Sequence, residues 1–404
     1  MSQTSMSVRQ SPKLDTHTAL ETIHRTEAAA SDYGAYVGLD VHKETITVAV
    51  AEPGRGAARN WGEIANRPQR VARLVEHLTD AFGGQVLLFS YEAGPCGYGL
   101  YHQLCQSGHD CQVVAPSLIP KKPGERIKTD RRDAGKLAVS ARSGELTAVW
   151  VSDAEQEAMR DLTRARDDFK AQQKKARQQL NAFVLRHGHH WPANKTRWNK
   201  GHYAWLESLT FDHDWQHVVL QEYIDAVRAA TARVADLDAQ LQRVLPQWSL
   251  APVVEALKAL RGIDTLSAMG LLAELGDLSR FEHPRQLMGF LGLVPGEHSS
   301  GSRRRQGAIT RSGNRRARRL LVEAAWSYRF PPRRTAHIKR KAAHAPILAK
   351  QISWKAQKRL CGRYRSLLYS GKNTKQVTVA VARELAGFIW DIACQVMPRV
   401  CATA

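Results

Sequence analysis

The sequence predicts an α/β domain followed by two helical regions, and three observations support this fold class. Short β-rich runs alternate with helical patterns between residues 34 and 150. From 151 to 246, apolar residues recur every three or four positions in a strongly polar background, which is typical of long amphipathic helices. Helical patterns joined by turns continue from 247 to 404. Residues 1–33 are polar and aperiodic, and they are predicted to be a flexible tail.

The α/β domain is predicted to begin with a hairpin of two β-rich runs. The predicted elements, in order, are strands at 36–40, 45–50 and 60–64, a helix at 68–82, a strand at 86–91, a helix near 100–104, a strand at 111–115 and a helix at 130–141. The order βββαβαβα predicts a sheet that combines an antiparallel hairpin with parallel strands.

The middle region is predicted to form two long helices, at 161–185 and 205–244, joined by a loop at 188–201. Their apolar spacing favours an antiparallel helical hairpin or a coiled coil used for dimerisation. In the C-terminal region, helices are predicted on either side of Arg261-Gly262-Ile263-Asp264, as in a helix-hairpin-helix motif, whose turn amides bind phosphate. Asp264 stands where that motif usually has a second glycine, which weakens the prediction of a DNA contact there.

Composition restricts the function classes further. The chain carries 59 lysine and arginine against 38 acidic residues, and this net charge of +21 attracts polyanions. An apolar share of 43% excludes a wholly disordered basic protein. No apolar run is long enough to span a membrane, the N-terminus lacks a signal-peptide core, and the six cysteines form no CxxC pair. We therefore expect a cytoplasmic, multi-domain protein with a nucleic-acid partner.

Four acidic residues occupy the ends of predicted elements. Asp40 and Glu92 end two strands, and Asp130 and Asp133 lie three apart at the start of a helix, where they share a face. Four converging carboxylates repel one another unless cations neutralise them, and Mg²⁺ prefers oxygen ligands. Two such ions would hold the attacking and leaving oxygens of a phosphodiester. The alternative is that these acids are ordinary solvated residues.

A glycine-rich segment in the C-terminal region contains a candidate nucleophile. Ser300 precedes Gly301 in a loop and has no bulky neighbour, so its hydroxyl is expected to be exposed. Three arginines follow closely in the sequence, namely Arg303, Arg304 and Arg305. Their guanidinium groups would bind the target phosphate and stabilise the transition state of its transfer. Most Ser-Ser-Gly strings are simply flexible turns, so the prediction depends on the surrounding basic residues.

Basic side chains are predicted to contact nucleic acid in two places. Lys43, Lys128 and Arg131 flank the acidic set. The C-terminal region adds Arg303, Arg304, Arg305, Arg311, Arg315, Arg316, Arg318 and Arg319. Arginine binds phosphate through a rigid planar fork, although a solvated basic face is the alternative. Four aromatic residues lie nearby, and their helical spacing favours the core over stacking on bases: Trp326, Tyr328, Trp354 and Tyr364.

These motifs together resemble insertion-sequence transposases of the 110 family. The similar segments are Val37-Gly-Leu-Asp40-Val-His-Lys, Tyr91-Glu92-Ala-Gly, Lys128-Thr-Asp130-Arg-Arg-Asp133-Ala and Gly292-Leu-Val-Pro with Ser300-Gly, Gly313-Asn314 and Arg318. The resemblance implies an N-terminal RuvC-like domain of the RNase H type, a coiled-coil middle and a C-terminal transposase domain with an essential serine. It places the Mg²⁺-binding DEDD tetrad on Asp40, Glu92, Asp130 and Asp133 and the serine on Ser300.

The resemblance also implies partners and a reaction. The expected function is that of a DNA transposase and recombinase with two Mg²⁺ ions, for which Mn²⁺ is a substitute. It would act on donor and target DNA through a covalent phosphoserine step, guided by a structured non-coding RNA that bridges the two. Homodimers would assemble into a tetramer on DNA, associated with the nucleoid, with active sites shared between subunits. The long tail and the bulky middle region depart from compact members of the family.

Two other functions remain open at this point. A junction-resolving nuclease would use the acidic site and water, and it would leave no protein–DNA adduct. A non-enzymatic nucleic-acid binder would need neither metal nor the acidic residues. The separated acidic motifs argue against the binder, and the segment from 295 to 301 argues against the nuclease.

Overall fold

The computed structural model describes residues 33–120, 129–297 and 305–397 and divides the chain into two units between Val151 and Ser152. Nearly all of the predicted N-terminal tail therefore lies outside the described residues. The predicted middle and C-terminal regions lie together in the second unit. No helix within the described ranges is both long and apolar enough to cross a bilayer.

The first unit is built on a mixed five-stranded sheet, as the sequence predicts. Its strands are β1 (Ala35–Val41), β2 (Thr45–Ala51), β3 (Arg59–Ala65), β4 (Leu87–Glu92) and β5 (Asp110–Val114). The order across the sheet is β3-β2-β1-β4-β5. The pairs β1–β2 and β2–β3 are antiparallel, whereas β1–β4 and β4–β5 are parallel. β1 is therefore the central strand, with the antiparallel β2 on one side and the parallel β4 on the other.

Among the residues described in this unit are three α-helices, namely α1 (Pro68–Ala81), α2 (Gly99–Gln106) and α3 (Asp130–Arg142). The β-branched and leucine side chains of β1, β2 and β4 form the core with the apolar face of α1. A proline begins α1, where its missing N–H costs no hydrogen bond. The side chain of Thr129 caps α3 by accepting a hydrogen bond from the Arg132 amide.

The packing of α3 against β1 depends on one glycine. A Cβ atom on Gly38 would lie 2.0 Å from the carbonyl oxygen of Ala134 and 2.6 Å from the amide nitrogen of Ala138. No side chain fits between two backbones this close. The start of α3 is therefore fixed beside the end of β1, where Asp40 follows Gly38 by two residues.

The second unit begins with an antiparallel pair of long helices. These are α4 (Ala154–Arg186) and α6 (Asp214–Val244), with the short α5 (Lys200–Glu207) between them. Their direction follows from contacts such as Arg166 with Asp238 and Phe183 with Tyr223. The prediction of one helix over 205–244 was wrong, because a capping box at His213 and Gln216 starts a new helix.

The rest of the second unit is mostly helical, as predicted. It contains α7 (Ala251–Leu257), α8 (Thr265–Leu275), α9 (Pro284–Phe290), β6 (Pro295–Glu297), β7 (Gln306–Ile309), α10 (Arg315–Ala325), α11 (Ala336–Lys341), α12 (Ile347–Tyr369) and α13 (Thr374–Val396). The largely buried α13 contacts α7, α9, α10 and α12 and so forms the centre of this unit. β6 and β7 pair antiparallel in a separate small sheet.

Candidate functional site

Two predicted acidic residues lie at the ends of adjacent strands. β1 and β4 are parallel, and Leu39 pairs with Tyr91 in their register. Asp40 and Glu92 follow these paired residues directly, so both carboxylates belong to the same edge of the sheet. On its other side, Asp40 pairs with Thr47 of β2.

The other two predicted acids belong to the first turn of α3. Asp130 and Asp133 are one turn apart, and a helix N-terminus stabilises negative charge. The close approach at Gly38 holds this turn beside β1. The charges of Asp130, Asp133 and Glu92 each raise the pKa of Asp40, so these three carboxylates lie within electrostatic range of it.

A histidine that the sequence analysis missed lies between two of these acids. His42 Nε2 is 3.5 Å from Asp40 Oδ2 and 3.7 Å from Asp130 Oδ2. One donor atom from each of these three residues lies within 4.8 Å of the others, as in a metal-binding group. The available signal was its position in Val41-His42-Lys43, immediately after the strand that ends near Asp40.

Burial and neighbouring charge both act on Asp40. Its side chain is 19% exposed, and this burial raises the pKa of the carboxyl above its usual value. The imidazole of His42 opposes the shift and lowers the pKa. Further increases come from the nearby carboxylates of Asp130, Asp133 and Glu92. A divalent cation would relieve both the desolvation and the repulsion.

An open cavity of about 600 Å³ adjoins this acidic edge. It is lined by Thr47, Asn60, Gly62, Glu63, Thr129, Asp130 and Arg131. Arg131 therefore brings one predicted nucleic-acid contact to the rim of the acidic site. Lys43 is exposed and lies 3.3 Å from Glu44, and Lys128 lies outside the described residues.

The segment that carries the predicted serine is held at both ends by glycine. Ser300, Arg303 and Arg304 themselves lie outside the described residues. Gly292 (φ 60°) would place a Cβ 2.2 Å from the Ser312 carbonyl oxygen, and Gly313 (φ 69°) would place one 1.8 Å from that of Phe290. Both positions combine a left-handed backbone with a close approach, so the two ends of the segment are packed together.

The predicted phosphate-binding arginines of α10 have different surroundings. Arg318 donates hydrogen bonds to the carbonyl oxygens of Leu291, Arg311 and Ser312, so its guanidinium ties α10 to the ends of the serine segment. Arg305, Arg311 and Arg315 are exposed.

Arg316 and Arg319 instead pair with aspartates of α4. Arg316 lies 3.2 Å from Asp168 and 3.7 Å from Asp167, and Arg319 also pairs with Asp167. Arg316 is half-buried beside these carboxylates, whereas Arg319 is exposed. Both arginines therefore form ion pairs that link α10 to α4.

A buried carboxylate joins three helices beside these pairs. Glu274 on α8 is 3% exposed and accepts two hydrogen bonds of 2.8 Å from Arg164 on α4. The Asn314 amide donates a further bond of 2.6 Å to Glu274 while its oxygen caps α10. Burial opposes ionisation, but these hydrogen bonds prevail and lower the pKa of Glu274.

In the helix-hairpin-helix-like turn, side chains of the protein bond to the backbone groups that would otherwise be open to a ligand. The Asp264 carboxylate accepts a hydrogen bond from the Ser267 amide at the start of α8, where a phosphate would bind in that motif. Lys341 donates to the Leu260 and Ile263 carbonyl oxygens on the other side of the turn. Both contacts favour a structural role for this turn.

The aromatic residues of the C-terminal region follow the core prediction. Tyr328 is 0% and Tyr364 1% exposed, so neither ring can stack on a base. Trp326 and Trp354 are partly buried, and arginine guanidinium groups lie over both rings.

Comparisons with known proteins match both units. The DEDD transposase model of the IS110 family covers residues 37–188, which contain all four predicted acids. A second model, described as transposase of the IS116/IS110/IS902 family, covers residues 254–339. An α/β unit with an acidic edge and a helical unit matched in this way define a transposase.

Individual relatives agree with this class. A putative transposase of Sinorhizobium fredii, y4qE, is 48% identical over 367 residues, 90% of each chain. The transposase for insertion sequence element IS1533 of Leptospira borgpetersenii is 30% identical over 82% of this chain and 96% of its own. A probable family 20 transposase of Pseudomonas aeruginosa is 27% identical over 72% of this chain and 82% of its own. The chain belongs to the IS110 family of insertion-sequence transposases, which confirms the resemblance inferred from its motifs.

Proposed function

We propose that this transposase cleaves and exchanges DNA strands with a divalent metal at the acidic edge and a serine nucleophile at Ser300. The observation that carries the proposal is the convergence of Asp40 and Asp130, whose carboxylates belong to one group of donor atoms within 4.8 Å. Their placement by a strand end and a helix start is that of a preformed site. The family match to a DEDD transposase supports the same chemistry.

The four carboxylates fit a hard divalent cation such as Mg²⁺. Oxygen donors are the ligands this ion prefers, and the set is Asp40, Glu92, Asp130 and Asp133. Bound there, the metal would orient the scissile phosphate and stabilise the charge that develops on its oxygens. The chain contributes a fixed acidic edge that accepts the ion, while Arg131 at the cavity rim attracts the DNA backbone.

The serine step conserves the energy of the phosphodiester. The Ser300 hydroxyl oxygen attacks phosphorus and loses its proton to a base or water, while the bond from phosphorus to one strand's oxygen breaks and that oxygen takes up a proton from water or an acid. The result is a phosphoserine ester with one DNA strand and a free hydroxyl on the other. Attack by a hydroxyl of a new strand reverses the step and releases the serine.

The proposed partners are donor DNA, target DNA and a structured guide RNA that joins them. Charge supports nucleic-acid binding by the C-terminal region, because residues 305–397 contain twenty-one lysines and arginines and three acidic residues. We further propose that homodimers form through α4 and α6 and assemble into a tetramer on DNA. Sequencing the RNA that co-purifies with the protein tests the guide: enrichment of the element's non-coding segment is expected, and random cellular RNA would contradict it.

The decisive experiment traps the protein–DNA adduct. Wild-type protein with its co-purified RNA, Mg²⁺ and DNA carrying the joined element ends should form an adduct that survives denaturation. Ser300→Ala should form none and exchange no strands, whereas Ser299→Ala, one residue away, should retain both activities. Asp40→Asn should abolish cleavage itself.

Two outcomes would contradict this mechanism. Full strand exchange by Ser300→Ala would exclude the serine nucleophile. Adduct-free cutting of branched DNA by the same variant would instead indicate a metal-dependent junction-resolving nuclease.

A further inference from the structure

We propose that His42 is a nitrogen ligand of the metal at the acidic edge and that it makes the site favour a transition-metal ion such as Mn²⁺ over Mg²⁺. This inference rests on the metal site proposed above. It goes beyond the four acidic residues, because it adds a fifth ligand of different chemistry and assigns the site a metal preference.

The first argument is the spacing of the donor atoms. His42 Nε2 lies 3.5 Å and 3.7 Å from the nearest oxygens of Asp40 and Asp130. A charge-assisted hydrogen bond between such groups is shorter, about 2.7–2.9 Å, so the imidazole is not bonded to either carboxylate. Donors around one octahedral ion at about 2.1 Å lie about 3.0 Å apart when adjacent and about 4.2 Å apart when opposite. The observed distances exceed the adjacent spacing by about 0.5–0.7 Å, so the three donors lie near one another and need only a small closing movement to share one ion.

The second argument is that the backbone of His42 is held in place. Its amide donates a hydrogen bond of 2.9 Å to the Thr45 carbonyl oxygen, which closes the turn between β1 and β2. Its own carbonyl oxygen accepts a bond of 2.7 Å from the Asn66 side chain. Asp40 is fixed in β1 by its pairing with Thr47, so His42 and Asp40 are presented by one rigid turn. A ligand set is selective only when its donors are positioned in this way.

The third argument is the chemistry of an imidazole among carboxylates. Mg²⁺ prefers oxygen donors and retains its waters, so a nitrogen donor adds little to its binding. First-row transition ions bind imidazole well, and histidine is the commonest metal ligand in proteins. The side chain of His42 is 54% exposed, so a cation can reach Nε2 without displacing the core. At the acidic edge, a metal ion could therefore bind the imidazole nitrogen of His42 together with carboxylate oxygens of Asp40 and Asp130.

The test measures metal binding directly, without any nucleic acid or turnover. The full-length protein is titrated with Mn²⁺ while the electron paramagnetic resonance signal of the free ion is followed. Electron spin-echo envelope modulation of the bound ion then shows whether ¹⁴N is coordinated. Competition with Mg²⁺ gives the relative affinities of the two ions.

The informative variant is His42→Asn, which replaces the nitrogen donor by an amide oxygen without adding charge. We expect it to weaken Mn²⁺ binding about tenfold, to change Mg²⁺ binding less than about threefold and to remove the ¹⁴N modulation. The matched control is His77→Ala, an exposed histidine of α1 outside the donor group, which should change none of these quantities. Unaltered Mn²⁺ affinity and ¹⁴N modulation in His42→Asn would overturn the proposal.

Two further variants separate this proposal from the metal site on which it rests. Asp40→Asn and Asp130→Asn should each abolish tight Mn²⁺ binding. If both bind Mn²⁺ like wild type, the acidic edge holds no metal, and the proposed mechanism fails together with the role of His42. If both lose binding while His42→Asn keeps it, only the role of His42 is refuted.

Discussion

Acidic side chains have opposite surroundings in the two units of this transposase. In the first unit, Asp40 and Asp130 face each other across an imidazole at the edge of the sheet. In the second, Asp167 on α4 faces the guanidinium groups of Arg316 and Arg319 on α10. The first arrangement gathers negative charge, whereas the second cancels it.

The difference indicates which charges are available to a ligand. A carboxylate beside other carboxylates raises the free energy of the site until a cation binds. An arginine that already bonds to carboxylates or carbonyl oxygens gains less from a phosphate, because it must first give up those bonds. The acidic edge of the first unit is thus suited to binding a metal, whereas several arginines of the second unit stabilise its fold.

The largest expected effect follows from closing the space between α3 and β1. Gly38→Ala places a methyl group 2.0 Å from the Ala134 carbonyl oxygen, so α3 must move with Asp130 and Asp133. We expect a loss of about 3 kcal/mol in the free energy of unfolding, at the upper end for overpacking, and loss of tight Mn²⁺ binding. Urea denaturation and the metal titration measure the two effects.

Gly99→Ala is the control for this substitution. Gly99 lies at the start of α2 with open space around the position of its Cβ, so alanine should not weaken the protein. Equal effects of the two substitutions would show that the close contact of α3 with β1 does not position the acidic edge.

The second expected effect concerns Glu274, whose buried negative charge is balanced by partners within the second unit. Glu274→Ala leaves Arg164 and Asn314 without their shared acceptor. Removal of one member of a buried ion pair lowers the free energy of unfolding by about 3–5 kcal/mol, and we expect a loss of about 3 kcal/mol here. Because the pKa of Glu274 is lowered by folding, its contribution is complete above pH 4.5 and is lost as the pH falls further. Urea denaturation at pH 7 and pH 4 measures both.

Glu323→Ala provides the comparison for Glu274. Glu323 is exposed and pairs with Arg319 one turn away on α10, so its removal should cost less than about 0.5 kcal/mol. A cost for Glu323 as large as that for Glu274 would contradict the role of burial.

The third prediction separates structural arginines from those that bind nucleic acid. Arg318→Ala removes hydrogen bonds to three carbonyl oxygens and should lower the free energy of unfolding by about 2 kcal/mol. Arg315→Ala, on the exposed face of the same helix, should leave stability unchanged and reduce the slope of log affinity against log salt by about 0.9. Thermal unfolding and salt-dependent DNA binding distinguish the two, and the reverse pattern would contradict these assignments.

The smallest expected effect is a pH dependence in the first unit. His109 is 7% exposed, accepts a hydrogen bond from the Leu87 amide at Nδ1 and bonds to Thr79 through Nε2. Burial lowers the pKa of His109 below 6.5, so the unfolded chain binds its proton first and stability falls as the pH drops below 6.5. Melting temperatures between pH 7.5 and 5.5 should fall less in His109→Gln than in wild type, and identical profiles would argue against this histidine.

Much of the first unit could be predicted from local patterns. Its strands and helices follow from β-branched runs, a helical spacing of apolar residues and glycines at the ends of elements, and the predicted order βββαβαβα is confirmed. The break before α6 could not be predicted from spacing, because the capping box at His213 competes locally with continuation of the helix. The role of the long helices in a dimer remains a prediction.

The acidic edge was only partly accessible to the same reasoning. Asp40, Glu92, Asp130 and Asp133 lie at the ends of elements, and such positions in parallel strands and the helices after them meet at one edge. His42 has no comparable pattern, since a single histidine in a turn has the same sequence neighbours whether or not a carboxylate from a distant helix approaches it. The contact between His42 and Asp130 exists because α3 packs onto Gly38, which precedes Asp130 by 92 residues in the sequence.

By itself, the sequence determined the order of the elements in the first unit, the family of the protein and a positive charge that favours nucleic acid, because these depend on residue types and their spacing. Only the tertiary structure decided which charges face one another. Electrostatic energy depends on distance and burial, so Arg315 and Arg318, three residues apart on one helix, have different surroundings, one exposed and the other bonded to backbone carbonyl oxygens. Packing of distant segments sets those distances, and no local pattern contains them.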